Sequence, residues 1–135
     1  MATTATLPVQ QALYTVLAAD TTLMAKLAGG VLDYVPAEPA FPYVALGEGT
    51  EVPLNVFAKD GRDVTVTLHI WSRAKGFAEA DGILDDLNRL LDHKALTISG
   101  YVHIVCAYEF SQTLRDPDGF TRHIPVRFRV TVQNT

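Results

Sequence analysis

The sequence predicts an α+β fold: a two-layer sandwich of mainly antiparallel sheet with two helices packed on one face. Three observations predict it. Residues 63–73 alternate apolar and polar, as do 101–114 and 121–133 on either side of Asp116-Pro117-Asp118-Gly119; period-two alternation marks strands covered on one side. Residues 76–93 carry Phe77, Ala80, Ile83, Leu84, Leu87, Leu90 and Leu91 as an apolar stripe at helical spacing. The chain order of helix, strands, helix, strands leaves the helices to share one face of a sheet.

The totals fit such a unit. A chain of 135 residues, 48% apolar and 19% charged, has the balance of one globular domain, and at this length folding buries roughly two-thirds of the surface the unfolded chain exposes. Residues 1–6, rich in Ala and Thr, are expected to be a flexible tail ahead of a single domain over 7–135. The net charge of −4 gives no counterion-release energy on a phosphate backbone, so specific nucleic-acid binding is not expected. Cys106 is the single cysteine, so no internal disulfide forms. No basic segment precedes an apolar run at the N-terminus, and no apolar run nears the ~20 residues that cross a bilayer. The chain is therefore expected to start in the cytoplasm with no membrane partner.

Taken in order, Pro8 suits a first helical turn, and Leu13, Val16 and Leu17 follow at helical spacing, predicting a helix over about 8–19. Asp20 caps a second short piece bearing Leu23, Met24 and Leu27, which Gly29-Gly30 ends. Val31–Tyr34 reads as a short strand; Pro36, Pro39 and Pro42 then forbid regular structure until a second strand over Tyr43–Glu48. Residues 49–62 read as a long loop with Val56 and Phe57 inside it and a Lys59-Asp60-Gly61-Arg62 turn signal. In the strand over 63–73, Val64, Val66, Leu68 and Ile70 share the core face, while Thr65, Thr67, His69 and Trp71 share the other. The helix over 76–93 sets Glu79, Asp81, Asp85, Asp86 and Arg89 on its outer side. Leu96–Ser99 is expected as a short strand before Gly100.

The last two strands predict their own register. Their apolar sets, Val102, Ile104, Cys106, Tyr108 and Phe110 against Ile124, Val126, Phe128, Val130 and Val132, are all even-numbered. Facing residues point to the same side, so paired numbers must add to an even total and the loop must be odd. A three-residue loop with Gly119 left-handed pairs Phe110 with Val126, Tyr108 with Phe128 and Glu109 with Arg127; a five-residue loop sets Glu109 opposite Arg129. Either way a carboxylate meets a guanidinium on the face away from the helices.

No catalytic or cofactor-binding set emerges. His69, His93, His103 and His123 lack the spacing that gathers metal ligands on one element, and in this register His103 and His123, though both on the outer face, are ten residues apart along the strands, too far for one ion at roughly 3.3 Å per residue. Cys106 on the core face reads as packing. Gly47-Glu48-Gly49 is a fragment of a dinucleotide fingerprint without its third glycine or its helix. Asp116 and Asp118 belong to a turn that favours aspartate for conformational reasons. No catalytic residue, cofactor or metal is expected.

Two features read as contact surface. Trp71, Glu109, Arg127 and Arg129 share the outer face with small apolar side chains, and interfaces favour Trp and Arg. The long loop carries Val56, Phe57 and Arg62, and such loops are commonly pinned by a partner. These seven residues are the candidate subunit or ring interface.

With these elements placed, a likeness becomes visible. Ala12-Leu13-Tyr14, Leu17-Ala18-Ala19-Asp20, Leu27-Ala28-Gly29-Gly30-Val31 and Asp33-Tyr34-Val35-Pro36 are followed by Phe41-Pro42-Tyr43-Val44-Ala45-Leu46-Gly47-Glu48. His69-Ile70-Trp71-Ser72-Arg73 runs into Gly76-Phe77-Ala78-Glu79-Ala80, and Leu114-Arg115-Asp116-Pro117-Asp118-Gly119 precedes Thr121-Arg122-His123. In order and spacing, over residues 10–132, the chain resembles the tail-completion, or tail-terminator, proteins of long-tailed phages and gene transfer agents. The resemblance implies a structural virion protein of the tail or neck, assembled in the host bacterial cytoplasm. Its homo-oligomeric ring, a hexamer, would end the tail tube and join it to the head connector. The implied partners are further copies, the tail tube protein and the head–tail connector proteins, with DNA passing through the lumen without specific binding. It implies no catalytic residues, and it carries over no interface positions. A head-completion adaptor of the neck is the alternative within the binding class. A small enzyme using the sheet as a cleft would need a close acid–base pair in a polar pocket, which the sequence does not show.

Overall fold

A computed structural model describes residues 4–55 and 60–134. Two helical segments open the chain, α1 (Thr6–Ala19) and α2 (Thr21–Lys26), followed by strands β1 (Gly30–Leu32), β2 (Tyr43–Pro53) and β3 (Gly61–Ser72). Helix α3 (Ala78–Leu91) leads into β4 (Tyr101–Ser111), β5 (Leu114–Arg115) and β6 (Arg122–Asn134). The sheet order is β1-β2-β3-β6-β4, with β5 on β6; β1 pairs parallel with β2 and every other pairing is antiparallel. The expected α+β sandwich is therefore the observed one. No helix among the described residues is long and apolar enough to cross a membrane.

The core lies between the sheet and the two longer helices. Val64, Val66, Leu68 and Ile70 of β3 and Ile124, Val126, Phe128, Val130 and Val132 of β6 are buried against Leu13 and Leu17 of α1 and Ile83, Leu87 and Leu91 of α3. The alternation read from both strands thus places their apolar faces correctly. Asp20 caps α2 as expected, its carboxylate accepting from Leu23 N at 2.9 Å. Asp86, expected outside, is buried, because α3 lies beside α2 and Lys26 Nζ reaches Asp86 Oδ2 at 2.8 Å.

Helix α1 starts within the segment expected to be a tail: Ala5 is buried and Thr6 is helical. No local side chain caps it. Glu51 does so from β2, accepting from Ala5 N at 3.0 Å, Thr6 N at 3.0 Å and Thr6 Oγ1 at 2.6 Å. A carboxylate there satisfies orphan donors and meets the positive end of the helix dipole. Arg62 holds that carboxylate from the other side, Nε to Oε2 at 3.0 Å. Glu51→Ala is expected to lower stability by about 1–3 kcal/mol, since it strips partners from sheltered donors; Glu51→Gln, which keeps an acceptor, should fall between. Urea denaturation measures both, and an alanine variant as stable as the parent would refute the cap.

Three expectations about strands are corrected. The loop over 49–62 is largely hairpin: β2 runs on to Pro53 and β3 begins at Gly61. A bulge between Leu46 and Gly49 absorbs one extra residue and lets pairing continue. Leu96–Ser99 is not a strand. Leu96 and Ile98 are buried, but the backbone there serves the β4 edge by other means: His93 N donates to Cys106 O at 2.7 Å, Tyr108 N to the Asp92 carboxylate at 2.9 Å and Leu96 N to His103 Nδ1 at 3.1 Å. An edge occupied in this way is poorly placed to add another strand.

The third correction concerns β4. Tyr108 does pair with Phe128, but Phe110 pairs with Arg127 and not with Val126. The turn is not the expected three-residue loop; Arg115 faces Arg122, leaving residues 116–121 as a six-residue connection. Gly119 takes the left-handed conformation as expected (φ 84°). The Asp118 carboxylate, however, accepts from Phe120 N, Thr121 N and Thr121 Oγ1 at 3.0, 2.9 and 2.7 Å, drawing those residues into the turn. The Thr121 hydroxyl first, then its N–H, holds the Asp118 carboxyl below the usual carboxylate range. An even loop would invert the core, and a bulge at Glu109 corrects the parity. A second register shift between His103 and Val105 inverts it again toward the start of the strand. Val102 and Phe110, expected inside, are therefore exposed, while Tyr101 is buried and His103 is partnered with Val132 on the core side. Cys106, between the two shifts, is buried as expected, and burial pushes its thiol up to about 12.

Candidate assembly surface

The helix-free face of the sheet collects the polar members of the alternating strands. Across β3 and β6 the pairs Asp63 with Thr131, Thr65 with Arg129, Thr67 with Arg127 and Trp71 with His123 all project there. The bulge at Glu109 brings its carboxylate to the same side, between two guanidinium groups. Glu109 Oε1 lies 3.7 Å from Arg127 Nε and 3.4 Å from Arg129 Nη2, and Arg129 Nε lies 3.7 Å from Asp63 Oδ2. The expected meeting of Glu109 with an arginine is therefore observed, with both arginines at once. Arg127 also lies over the Phe110 ring at 5.0 Å, a contact that exists because the bulge turned Phe110 outward.

These pairs sit at the surface; the Arg127 and Arg129 side chains are 42% and 52% exposed. Ion pairs so exposed contribute at most about 1 kcal/mol each to folding. The array is thus a poor stabiliser of the fold. Arg127 Nε is buried yet makes no hydrogen bond among the described residues, its Glu109 neighbour being too distant. A shallow trough of about 470 Å³ lies alongside, lined by Glu48, Thr50, Thr65, Thr67, Glu109 and Arg127.

Toward the other end of the face stands an aromatic ladder. Trp71 stacks on His123 with ring centroids 3.8 Å apart and planes 5° from parallel, and on Tyr43 at 6.4 Å. His69 Nδ1 lies 2.7 Å from His123 Nε2, and His69 Nε2 lies 2.8 Å from Glu48 Oε1. The β2 bulge makes this possible: a Cβ on Gly47 would sit 2.4 Å from His69 Cδ2 and 2.8 Å from Thr67 O, so only glycine leaves room for the ring. The Glu48 carboxyl is held below its ordinary range by its own backbone N–H and then by His69.

Of the residues expected to form an interface, Trp71, Glu109, Arg127 and Arg129 do share one face. Arg62 does not; its even position in β3 sends it to the helix side, where it serves Glu51. Val56 and Phe57 lie outside the described residues. His103, expected on this face, was turned inward by the shift in β4. The His69–His123 contact was missed because it spans β3 and β6, whose partnership alternation does not specify. Once Trp71 faces His123, His69 lies diagonally across from it. No group of three or more His, Cys, Asp or Glu suited to a metal ion occurs among the described residues.

This sheet with helices on one side only has known relatives. The family model described as tail completion protein gp17 matches residues 11–133. The chain belongs to the gp17 tail-completion family. A relative, the tail completion protein gp17 of Bacillus phage SPP1, is 28% identical over 94 residues, 70% of this chain and 69% of its own length. Among solved structures, a chain in the virion of a native gene transfer agent particle superposes with a TM-score of 0.85 at 25% identity, covering 93% of this chain and 95% of that one. The structure of SPP1 gp17 itself gives 0.64 at 25% identity, covering 93% and 88%. As a tail-completion protein the chain has a structural role in the virion, in the tail where it is joined to the head, and is not an enzyme. The resemblance read from the order and spacing of its motifs is the family that the comparisons identify.

Proposed function

We propose that the chain forms a closed ring, a hexamer, on the head-proximal end of the tail tube, ending tube growth and presenting a docking surface to the head connector. The observation that carries this reading is the near full-length likeness to a chain built into a gene transfer agent virion. A tail tube elongates because each ring exposes half of a head-to-tail contact that never closes on itself. A terminator offers one half of that contact and a different surface opposite.

The helix-free face with Trp71, Glu109, Arg127 and Arg129 is the proposed contact between ring neighbours. Its charges of both signs suit a heterologous contact. The partners in this reading are further copies, the tail tube protein and the head–tail connector proteins. DNA traverses the lumen without specific binding, as the net charge of −4 favours.

Deletion of the gene tests the role. Overlong tails, or tails of any length without heads, are the expected products under electron microscopy, and plasmid-borne protein should restore particles. Tails of normal length joined to heads in the deletion strain would overturn the proposal.

A further inference from the structure

We propose that Glu48, His69 and His123 form a proton-operated latch on the helix-free face, which holds one added proton and is opened by a second. The three groups come from two strands and a bulge: His69 from β3, His123 from β6 and Glu48 from the bulged stretch of β2. They lie in a chain. Glu48 Oε1 is 2.8 Å from His69 Nε2, and His69 Nδ1 is 2.7 Å from His123 Nε2. His69 therefore spends both ring nitrogens within the chain, and every hydrogen bond depends on where the protons sit.

With both rings neutral, His69 donates from Nε2 to Glu48 and accepts at Nδ1 from His123. One added proton keeps the chain intact if the neutral His123 ring carries its hydrogen on Nδ1: both His69 nitrogens then donate, to Glu48 on one side and to the bare His123 Nε2 on the other. A second proton, on His123 Nε2, leaves two N–H groups facing each other across 2.7 Å, each on a cation. No tautomer relieves that contact, so it must open. The groups facing His123 agree with this order. From β3 it meets His69 and Trp71, from β2 the Glu48 carboxylate, from the turn after β5 the Asp116 carboxylate, and from β5 Leu114. Burial and then the His69 charge lower the His123 pKa, while Asp116 and Glu48 pull it upward less strongly.

The sign follows. A histidine whose folded pKa lies below its ordinary value of 6.5 adds stability that is complete above that pH and is lost as pH falls through the window beneath it. The latch is closed at neutral pH and opens in acid, parting the His123 ring of β6 from His69 while Glu48 keeps its bond to His69. It does not depend on ring formation, and it is measured on the protein in dilute, dissociated form, so its failure and that of the ring stand apart.

Trp71, the only tryptophan, stacks on His123 and reports the latch. Histidine ring NMR of the wild type between pH 8 and 5 should show the His123 ring titrating below its ordinary value. Trp71 emission should change with that step. His69→Gln should move the His123 midpoint upward, and His123→Gln should abolish the emission change. A His123 ring titrating at its ordinary value, with no change in Trp71 emission, would overturn the latch. So would a folded His69→Gln variant whose His123 midpoint stays in place; should that variant not fold, the wild-type His123 titration decides alone.

Discussion

Arg129→Glu is expected to leave the chain folded and to stop tails from joining heads. Arg129 is half exposed and its ion pairs with Glu109 and Asp63 are long, so the reversal should cost folding only about 1–2 kcal/mol, since two weak pairs are lost and three carboxylates then cluster. At a contact between subunits, by contrast, a like-charge juxtaposition costs several kcal/mol. A closed ring repeats that cost at every interface, so even about 2 kcal/mol each would dissolve it. The expected results are a melting temperature lowered by less than about 10 °C, loss of ring species in native mass spectrometry and loss of infectious or gene-transferring particles by at least about 100-fold. Intact rings and normal particles would remove this face from the proposed contact while leaving the family assignment standing.

Phe128→Ala should have the largest effect on folding. Phe128 is fully buried at the middle of β6 and is the largest such side chain among the described residues. It sits between Val66 on β3 and Tyr108 on β4, whose ring meets it edge-on at 6.1 Å. Truncating a buried phenylalanine costs about 3–5 kcal/mol, part transfer energy and part cavity. Against a typical total of about 5–15 kcal/mol that is a large share, and the melting temperature should fall by at least about 10 °C. Phe128→Leu, nearer in volume, should cost less than about 1.5 kcal/mol. Calorimetry distinguishes them; an alanine variant within 1 kcal/mol of the parent, on the order of experimental scatter for a surface site, would contradict the described core.

Much of the candidate assembly surface was legible because its residues alternate with core residues on long strands. Trp71, Arg127 and Arg129 had to face away from the helices once Ile70, Val126 and Phe128 faced them. Arg62 was misplaced because it was assigned to a loop; as the second residue of β3 it obeys the same parity and points to the helix side. Glu51 was overlooked for a different reason. Its role depends on the N-terminus of α1, more than forty residues earlier, settling beside β2, and no local pattern carries that distance.

By itself, the sequence determined the two-layer architecture, the core faces of β3 and β6, the cap of α2 and, through the order of its motifs, the tail-completion family. These follow from period, from residues with strong local preferences and from spacing, all of which are properties of neighbours along the chain. Tertiary structure alone decided which strands lie side by side, where three register shifts fall in β2 and β4, and so which of Val102, Tyr101, His103 and Phe110 are inside. A bulge changes parity at the cost of one unpaired residue, and whether that cost is met depends on packing contributed by distant segments. The contact between His69 and His123 belongs to the same class: two residues 54 positions apart, brought together by the pairing of β3 with β6.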